Sequence, residues 1–362
     1  MFFSQILALA LATGALADNL LSFNTAPVIE DRSIDEIYKA ALAEGGTVTV
    51  WAGGDEKNQQ NSLKTAFEAA FPGMTLNITV DVSKYHDGKI DQQLDSGNVY
   101  VDATFLQTLH DFPRWSSQGD LLNYAPVGFD QIHPAFRSTD ASWYGLFFIQ
   151  WGINYNSAKL PGITINEYPD FLQEGLKDKL VLTYPNDDDA VLYQFYLILS
   201  QYGEAWFDKL LEQNPRWVRG TATPSTILNT KNATEAATFT SYASPYKPSN
   251  TSTTVVAFPE EGQFVSWAQT GAILKGAPHP ESAKLLFNWI LSPEHQATGW
   301  SVRQDVAVPD TIPYPDLWHM NGTNPRTFFD FMMDRPRVER LKLYFEDKIG
   351  TAQGLSPLID DL

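Results

Sequence analysis

Two hydrophobic periods alternate along this chain. In Thr47-Val48-Thr49-Val50-Trp51, apolar and polar residues alternate with β-branched side chains, which predicts a strand. Ala52-Gly53-Gly54-Asp55 is the turn after it. Over 61–71, Leu63, Ala66, Phe67 and Ala70 recur at helical spacing, and Pro72-Gly73 closes the helix. A second strand is expected over 76–82. Ahead of these, 33–42 reads as an amphipathic helix with Ser33 as N-cap, Glu36 in the capping-box position, and Gly45-Gly46 after its end. Strand, helix and strand in this order predict an α/β class with a parallel sheet flanked by helices.

The pattern continues with a helix over 85–94, a third strand over 99–104 and a helix over 106–118 interrupted at Pro113. The run Trp143-Tyr144-Gly145-Leu146-Phe147-Phe148-Ile149-Gln150-Trp151-Gly152-Ile153-Asn154-Tyr155-Asn156 predicts one long strand. A strand over 180–182, a polar loop over 184–189 and helices over 190–200 and 205–214 follow. Next come a weaker strand over 236–241, a Ser/Thr/Pro-rich loop over 244–254, and a strand over 255–258. After Phe258-Pro259-Glu260-Glu261-Gly262 comes a short strand over 272–274 and a Gly/Pro turn. His279-Pro280 then sets a helix start with Glu281 in its first turn, and Ala283, Leu286, Phe287 and Ile290 face one side. Ser292-Pro293-Glu294 restarts a helix with Ser292 as N-cap. The stretch 309–325 is irregular, and 324–348 reads as a long helix broken near Pro336.

Composition narrows the function. The 362 residues carry 43 Asp and Glu against 25 Lys and Arg, a formal charge of −18. That balance argues against nucleic acid and anionic membrane surfaces and is compatible with cationic ligands. Residues 1–17 read as a secretory signal peptide that ends in Ala15-Leu16-Ala17, so the mature chain is expected from Asp18. No later run is long and apolar enough for an integral membrane segment. The absence of cysteine removes disulfides, thiolate metal sites and a lipid anchor on Cys. Sequons at Asn77, Asn232, Asn250 and Asn321 point to a secreted, extracellular glycoprotein. The six histidines lack metal spacing and are expected at the surface or at helix ends. No nucleophile elbow, P-loop or dinucleotide fingerprint is present, so the chain is not expected to be an enzyme, and no cofactor is expected.

The segment Gly271-Ala272-Ile273-Leu274-Lys275-Gly276-Ala277-Pro278-His279-Pro280-Glu281-Ser282-Ala283-Lys284-Leu285-Leu286-Phe287-Asn288-Trp289 resembles the return segment of extracellular solute-binding proteins of the periplasmic type II class. The likeness is to the branch of ferric-iron, thiamine and polyamine binders, in a form secreted by a eukaryote. It implies two α/β lobes with mixed sheets, joined by two crossover strands near 150–156 and 255–258. The chain then divides into an arm and helix (18–44), a first lobe (45–153), a second lobe (154–257) and a return segment with C-terminal helices (258–362) that pack on the first lobe. The implied function is noncatalytic capture of a small molecule or ion by lobe closure, in a monomer; whether a permease partner exists is open.

Ligands in open α/β sheets bind beyond the carboxyl ends of strands. That rule selects Trp51, Gly53, Gly54 and Asp55 after the first strand, Thr104 on the third, and Glu260 and Glu261 at the return crossover. On the second lobe it selects Asp187 and Asp188 before a helix, and Ser241 and Tyr242 at a strand end. Trp51 also fits partly buried core, Gly53-Gly54 a tight turn, and Asp187-Asp188-Asp189 helix capping. The ligand expected is an amine, a thiamine-like compound or a metal ion. The iron-binding relatives use a pair of adjacent tyrosines; here only Tyr242 matches, with Ala243 beside it. Ferric binding through an altered site, and a secreted interaction protein with a decayed cleft, remain as alternatives.

Overall fold

The computed structural model describes residues 26–247 and 252–359, so the signal peptide expected over 1–17, the start of the arm and the Asn250 sequon lie outside the described residues. The chain opens with helix α1 (Ile34–Ala43) and strand β1 (Thr47–Gly53), followed by α2 (Asn61–Ala70), β2 (Thr75–Asp81) and α3 (Ser83–Ser96). The capping box at Ser33 and Glu36 forms as the sequence predicts. Strand β3 (Ala103–Leu106) starts later than the expected strand, although the Asp102 backbone still donates to Thr49 O at 2.8 Å and accepts from Leu274 N at 2.9 Å. Helix α4 (Asp111–Gln118) holds Pro113 in its first turn, where no N–H is needed, so the proline begins the helix instead of interrupting it.

Strand β4 (Tyr144–Asn156) runs for 13 residues. Then come β5 (Val181–Thr183), α5 (Asp189–Tyr202), α6 (Glu204–Glu212), β6 (Arg216–Val218), α7 (Thr223–Asn229), β7 (Ala237–Tyr242) and β8 (Thr254–Ala257). The return begins with β9 (Ser266–Ile273), far longer than the expected 272–274, followed by α8 (Pro280–Ile290) and α9 (Pro293–Gln296). The terminal helix is two helices, α10 (Thr327–Met333) and α11 (Arg335–Ile349), divided at Asp334 just before Pro336.

The main sheet runs in the order β2-β1-β3-β9-β4-β7, with β8 also on β4. Its β2-β1-β3 edge is parallel, and β9 and β4 pair antiparallel. Strands β5 and β6 form a separate parallel pair. The two largest apolar cores among the described residues sit against this sheet. The first gathers Val50, Phe67, Phe105, Leu146 and Leu286, and the second Trp151, Ile153, Phe195, Phe207 and Phe239. Helices α10 and α11 put Phe328, Phe331 and Phe345 into the second core, and Asp189 holds Arg335 at 3.0 Å and Lys342 at 2.7 Å. This corrects the expectation that they pack on the first lobe. The cause is their aromatic face, which meets Tyr193 and Phe195 of α5.

The return segment is tied to β1 by one buried carboxylate. Asp102 is fully buried and accepts hydrogen bonds from Thr49 N at 2.7 Å and His279 N at 2.6 Å. His279 thus serves the helix start, as the sequence predicts, but His86 is buried beneath Trp51 and not at the surface.

Gly152 marks where β4 passes from one set of partners to the other. A Cβ there would sit 2.7 Å from Ala257 O and 3.0 Å from Ala243 Cβ. Gly→Ala in a strand ordinarily gains stability; at this position, Gly152→Ala should lose about 1–3 kcal/mol through overpacking. Urea denaturation of the two proteins reads the sign directly, and an unchanged or raised midpoint would refute the close approach.

Candidate functional site

A cavity of about 650 Å³ lies where strand ends and helix starts from both cores meet. That volume suits a small metabolite. Gly53, Gly54 and Asp55 reach it from the end of β1, Ser83 from the start of α3, and Gln107 from just beyond β3. Phe147, Phe148 and Trp151 of β4 and Trp267 and Gln269 of β9 form its floor. Asp188 before α5, Thr221 before α7 and Tyr242 at the end of β7 close the far side.

Two carboxylates line this space, and the charge of Asp55 reaches Asp188. Asp55 Oδ2 accepts from Thr221 N at 2.8 Å and Thr221 Oγ1 at 2.6 Å. Asp188 caps α5, with Oδ1 accepting from Ala190 N and Val191 N at 2.9 Å each. Burial pushes the Asp188 carboxyl up to about 7, and the negative charge of Asp55 adds to the rise. No Lys or Arg is among the described residues lining the cavity. At the other end, α2 and α3 begin with no side-chain cap, and Gln60, Ser62 and Ser83 line the cavity there.

The two halves also touch at the rim. Lys84 Nζ binds Asp187 Oδ1 at 2.7 Å and Asp187 O at 2.6 Å. Arg219 holds the same carboxylate at 2.8 Å and donates to Tyr85 OH at 2.9 Å. Burial alone would raise the Asp187 carboxyl, but Arg219 and Lys84 outweigh it and hold it below the usual range. Together with the Asp55–Thr221 pair, these contacts bridge the two halves beside the cavity, which stays open to solvent.

Of the residues selected from sequence, Gly53, Gly54, Asp55, Asp188 and Tyr242 line the cavity. The others lie elsewhere. Trp51 stacks on His86, with ring centroids 4.8 Å apart. Thr104 is fully buried and donates to Trp51 O. Ser241 donates to Thr221 O, supporting the wall from behind, and Asp187 sits at the rim. Glu260 and Glu261 lie outside the cavity, because Glu167 accepts both of their backbone N–H groups at 2.7 and 2.9 Å and turns that loop away. The spaces beside Gly53 and Gly54 are taken by protein: a Cβ would meet Ser83 Oγ at 2.0 Å and Gln59 Oε1 at 2.5 Å.

Sequence reasoning missed the amides Gln59, Gln60, Gln107 and Gln269, the hydroxyls Ser62, Ser83 and Thr298, and the aromatic floor. The aromatic floor had a signal, since Phe147-Phe148 and Trp151 stand in the crossover strand. The amides had none, because a glutamine on a loop is indistinguishable from solvated surface. Among the described residues, no group of three or more His, Asp or Glu is arranged to hold a metal ion, and no helix is long and apolar enough to cross a membrane.

A mixed sheet with two cores and a cavity at its strand ends defines a ligand-capturing α/β protein. The chain belongs to the bacterial extracellular solute-binding protein family, whose sequence profile matches residues 62–326. Its fold is that of the periplasmic binding proteins of type II. It is similar to the substrate binding protein of an ABC transporter from Agrobacterium tumefaciens, with a TM-score of 0.69, 13% identity, and 83% of this chain and 93% of that chain covered. It is also similar to AfuA from Actinobacillus pleuropneumoniae with exogenous fructose-6-phosphate bound (TM-score 0.65, 18% identity, 84% and 99% covered). Iron-bound HitA from Pseudomonas aeruginosa aligns with a TM-score of 0.59, 14% identity, and 83% and 99% covered. A search of curated proteins found no match.

Two measurements follow from this geometry. The Asp188 carboxyl binds its proton more tightly in the folded chain than the unfolded value of about 3.9. Between about pH 4 and 7 the folded state therefore holds the extra proton, and stability falls as pH rises through that window. Asp188→Asn keeps the cap, so it should flatten that fall and be the more stable protein above pH 7. Comparing urea midpoints of the two proteins across pH 4–8 cancels Asp87, which burial and Asp111 also push up to about 7. Parallel profiles would refute the assignment. For the rim, Lys84→Ala with Arg219→Ala should raise the ligand-free radius of gyration in small-angle scattering. An unchanged radius would mean that the rim contacts do not hold the two halves together.

Proposed function

We propose that this chain is an exported, noncatalytic binding protein that captures a small cationic solute by closing its two halves on it. The observation that carries the reading is that Asp55 and Asp188 line one cavity, close enough for the charge of one to act on the other, and that its described lining includes no Lys or Arg. A cation between them relieves a repulsion that the empty site bears and makes charge-assisted hydrogen bonds, the stronger kind. The aromatic floor supplies faces that also attract a cation. In this reading, the segment 45–153 with the return strand and helices is one lobe and 154–257 the other, with β4 and β8 as crossings. The exposed sequons at Asn77, Asn232 and Asn321 agree with secretion. The open cavity, with Asp55 and Tyr242 on its wall, speaks for a cleft that still binds, although Trp51 and Glu261 do not face it.

A second reading is a phosphate-bearing solute. The starts of α2 and α3 reach the cavity without side-chain caps, and helix starts favour anions. The similar AfuA structure contains fructose-6-phosphate. Ferric binding is less well supported, since Tyr242 is the one tyrosine among the described lining residues and Ala243 is buried in an apolar cluster.

A thermal-shift screen separates these readings. Amines, fructose-6-phosphate and ferric citrate are added to the purified chain; a true ligand at a hundredfold excess over its Kd stabilises by about 2.7 kcal/mol. Amines should raise the melting temperature, and Asp55→Asn should weaken the binding by about tenfold or more. A shift with sugar phosphate alone would overturn the cationic reading.

A further inference from the structure

A second, smaller space of about 140 Å³ adjoins the main cavity. Phe147, Phe148, Tyr242 and Thr298 line both, so the two share walls. Its own walls are Tyr246 and Trp300, with Gly299 between Thr298 and Trp300. The chemistry of the two spaces differs. The main cavity carries the carboxylates of Asp55 and Asp188. The annex is lined by no Asp, Glu, Lys or Arg among the described residues. Its one titratable imidazole, His295, has its pKa lowered by burial and is uncharged at neutral pH.

Four of the polar groups around the annex are already engaged within the protein. Gln150 Nε2 donates to Ala243 O at 2.7 Å, and Gln296 Nε2 donates to Leu146 O at 2.7 Å. The Tyr246 hydroxyl donates to Thr298 O, and Trp300 Nε1 donates to Pro315 O at 2.9 Å. What the annex offers an occupant is a set of five aromatic residues, Phe147, Phe148, Tyr242, Tyr246 and Trp300, beside amide, imidazole and hydroxyl groups. A volume near 150 Å³ is the size that takes one benzene ring. Both tyrosines keep uncovered surface, 51% for Tyr242 and 37% for Tyr246.

We propose that the annex is a ring subsite, so that the captured solute is bipartite, with a cationic head between Asp55 and Asp188 and an uncharged six-membered ring against Phe148, Tyr246 and Trp300. This rests on the cationic reading for the head and on the annex alone for the ring. Adding a ring to an amine gains both apolar burial and the edge or face contacts that aromatic pairs prefer.

The test uses the mature chain and isothermal titration with benzylamine, phenethylamine and hexylamine. The ring-bearing amines should bind about tenfold tighter than hexylamine. Gly299 lines the annex, and a Cβ there meets nothing within 4 Å, so Gly299→Leu can start its side chain without a clash and is the variant chosen to occupy the space. That variant, and Tyr246→Ala, should abolish the preference for rings while leaving hexylamine binding unchanged. Equal affinities in the native protein, or a preference that survives both variants, would overturn the ring subsite. Fluorobenzyl alcohol, which has a ring and no charge, separates the two failures. If no amine binds but its fluorine NMR line shifts with native protein and not with Gly299→Leu, the annex stands and the cationic reading falls. If neither amine nor alcohol binds, the ring subsite falls as well.

Discussion

One strand must satisfy two cores, and most of the architecture follows from that constraint. Strand β4 pairs with β9 over Tyr144 to Gln150 and with β7 and β8 over Trp151 to Asn156. Its first part gives Tyr144 and Leu146 to one core, and its second gives Trp151, Ile153 and Tyr155 to the other. A strand turns alternate side chains to opposite faces, so a run that serves two cores must be apolar almost throughout. The register shifts near Gly145 and Gly152 let the strand change partners without breaking. The middle of β4 is also where the cavity opens, at the seam where Phe147 and Phe148 pack against one core and Ile149 against the other. Phe147 and Phe148 are thus left partly exposed on the cavity floor.

The walls inherit their chemistry from helix starts. Helices α2, α3, α5 and α7 all begin near the cavity, as expected when strand ends and helix starts share one edge of a sheet. On one side the starts are left open; on the other Asp188 closes α5. That carboxylate answers both readings of its sequence context. It caps a helix through one oxygen and belongs to the cavity wall at the same time. Capping and ligand binding are not exclusive, since a carboxylate has more acceptor sites than a cap consumes.

The fold was legible in sequence wherever local chemistry and burial agreed. The Ser33 capping box, the opening βαβ unit and the His279-Pro280 helix start are local signals, and all appear. Strand β9 was hidden beyond 272–274 because Ser266, Gln269 and Thr270 are polar yet buried, and their partners are distant: Thr323 for Ser266 and the backbone of Phe105 for Gln269. The loop carrying Glu260 and Glu261 was misplaced for the same reason, since Glu167, far away in sequence, decides its direction. Strand-end topology found the two carboxylates and Tyr242 but could not separate cavity wall from rim or support. Asp187 and Asp188 are neighbours in sequence, and one binds Lys84 and Arg219 while the other caps a helix.

The two carboxylates also explain how binding and closure can be one event. Asp55 follows β1 and Asp188 precedes α5, so the two stand on elements of different cores. Closing the empty cleft buries Asp188 and brings like charges together; burial raises its carboxyl most, and the charge of Asp55 adds to the rise. The rim contacts oppose that cost, but partly exposed ion pairs contribute only about 0–1 kcal/mol each. The empty closed state is therefore held by small terms of opposite sign. A ligand shifts such an equilibrium only by the difference in its affinity for the two states. A cation that touches both carboxylates has that difference built in, because the open form offers it one at a time. A proton on Asp188 relieves the same repulsion, so proton and cation compete for one role, and capture should release a proton near neutral pH.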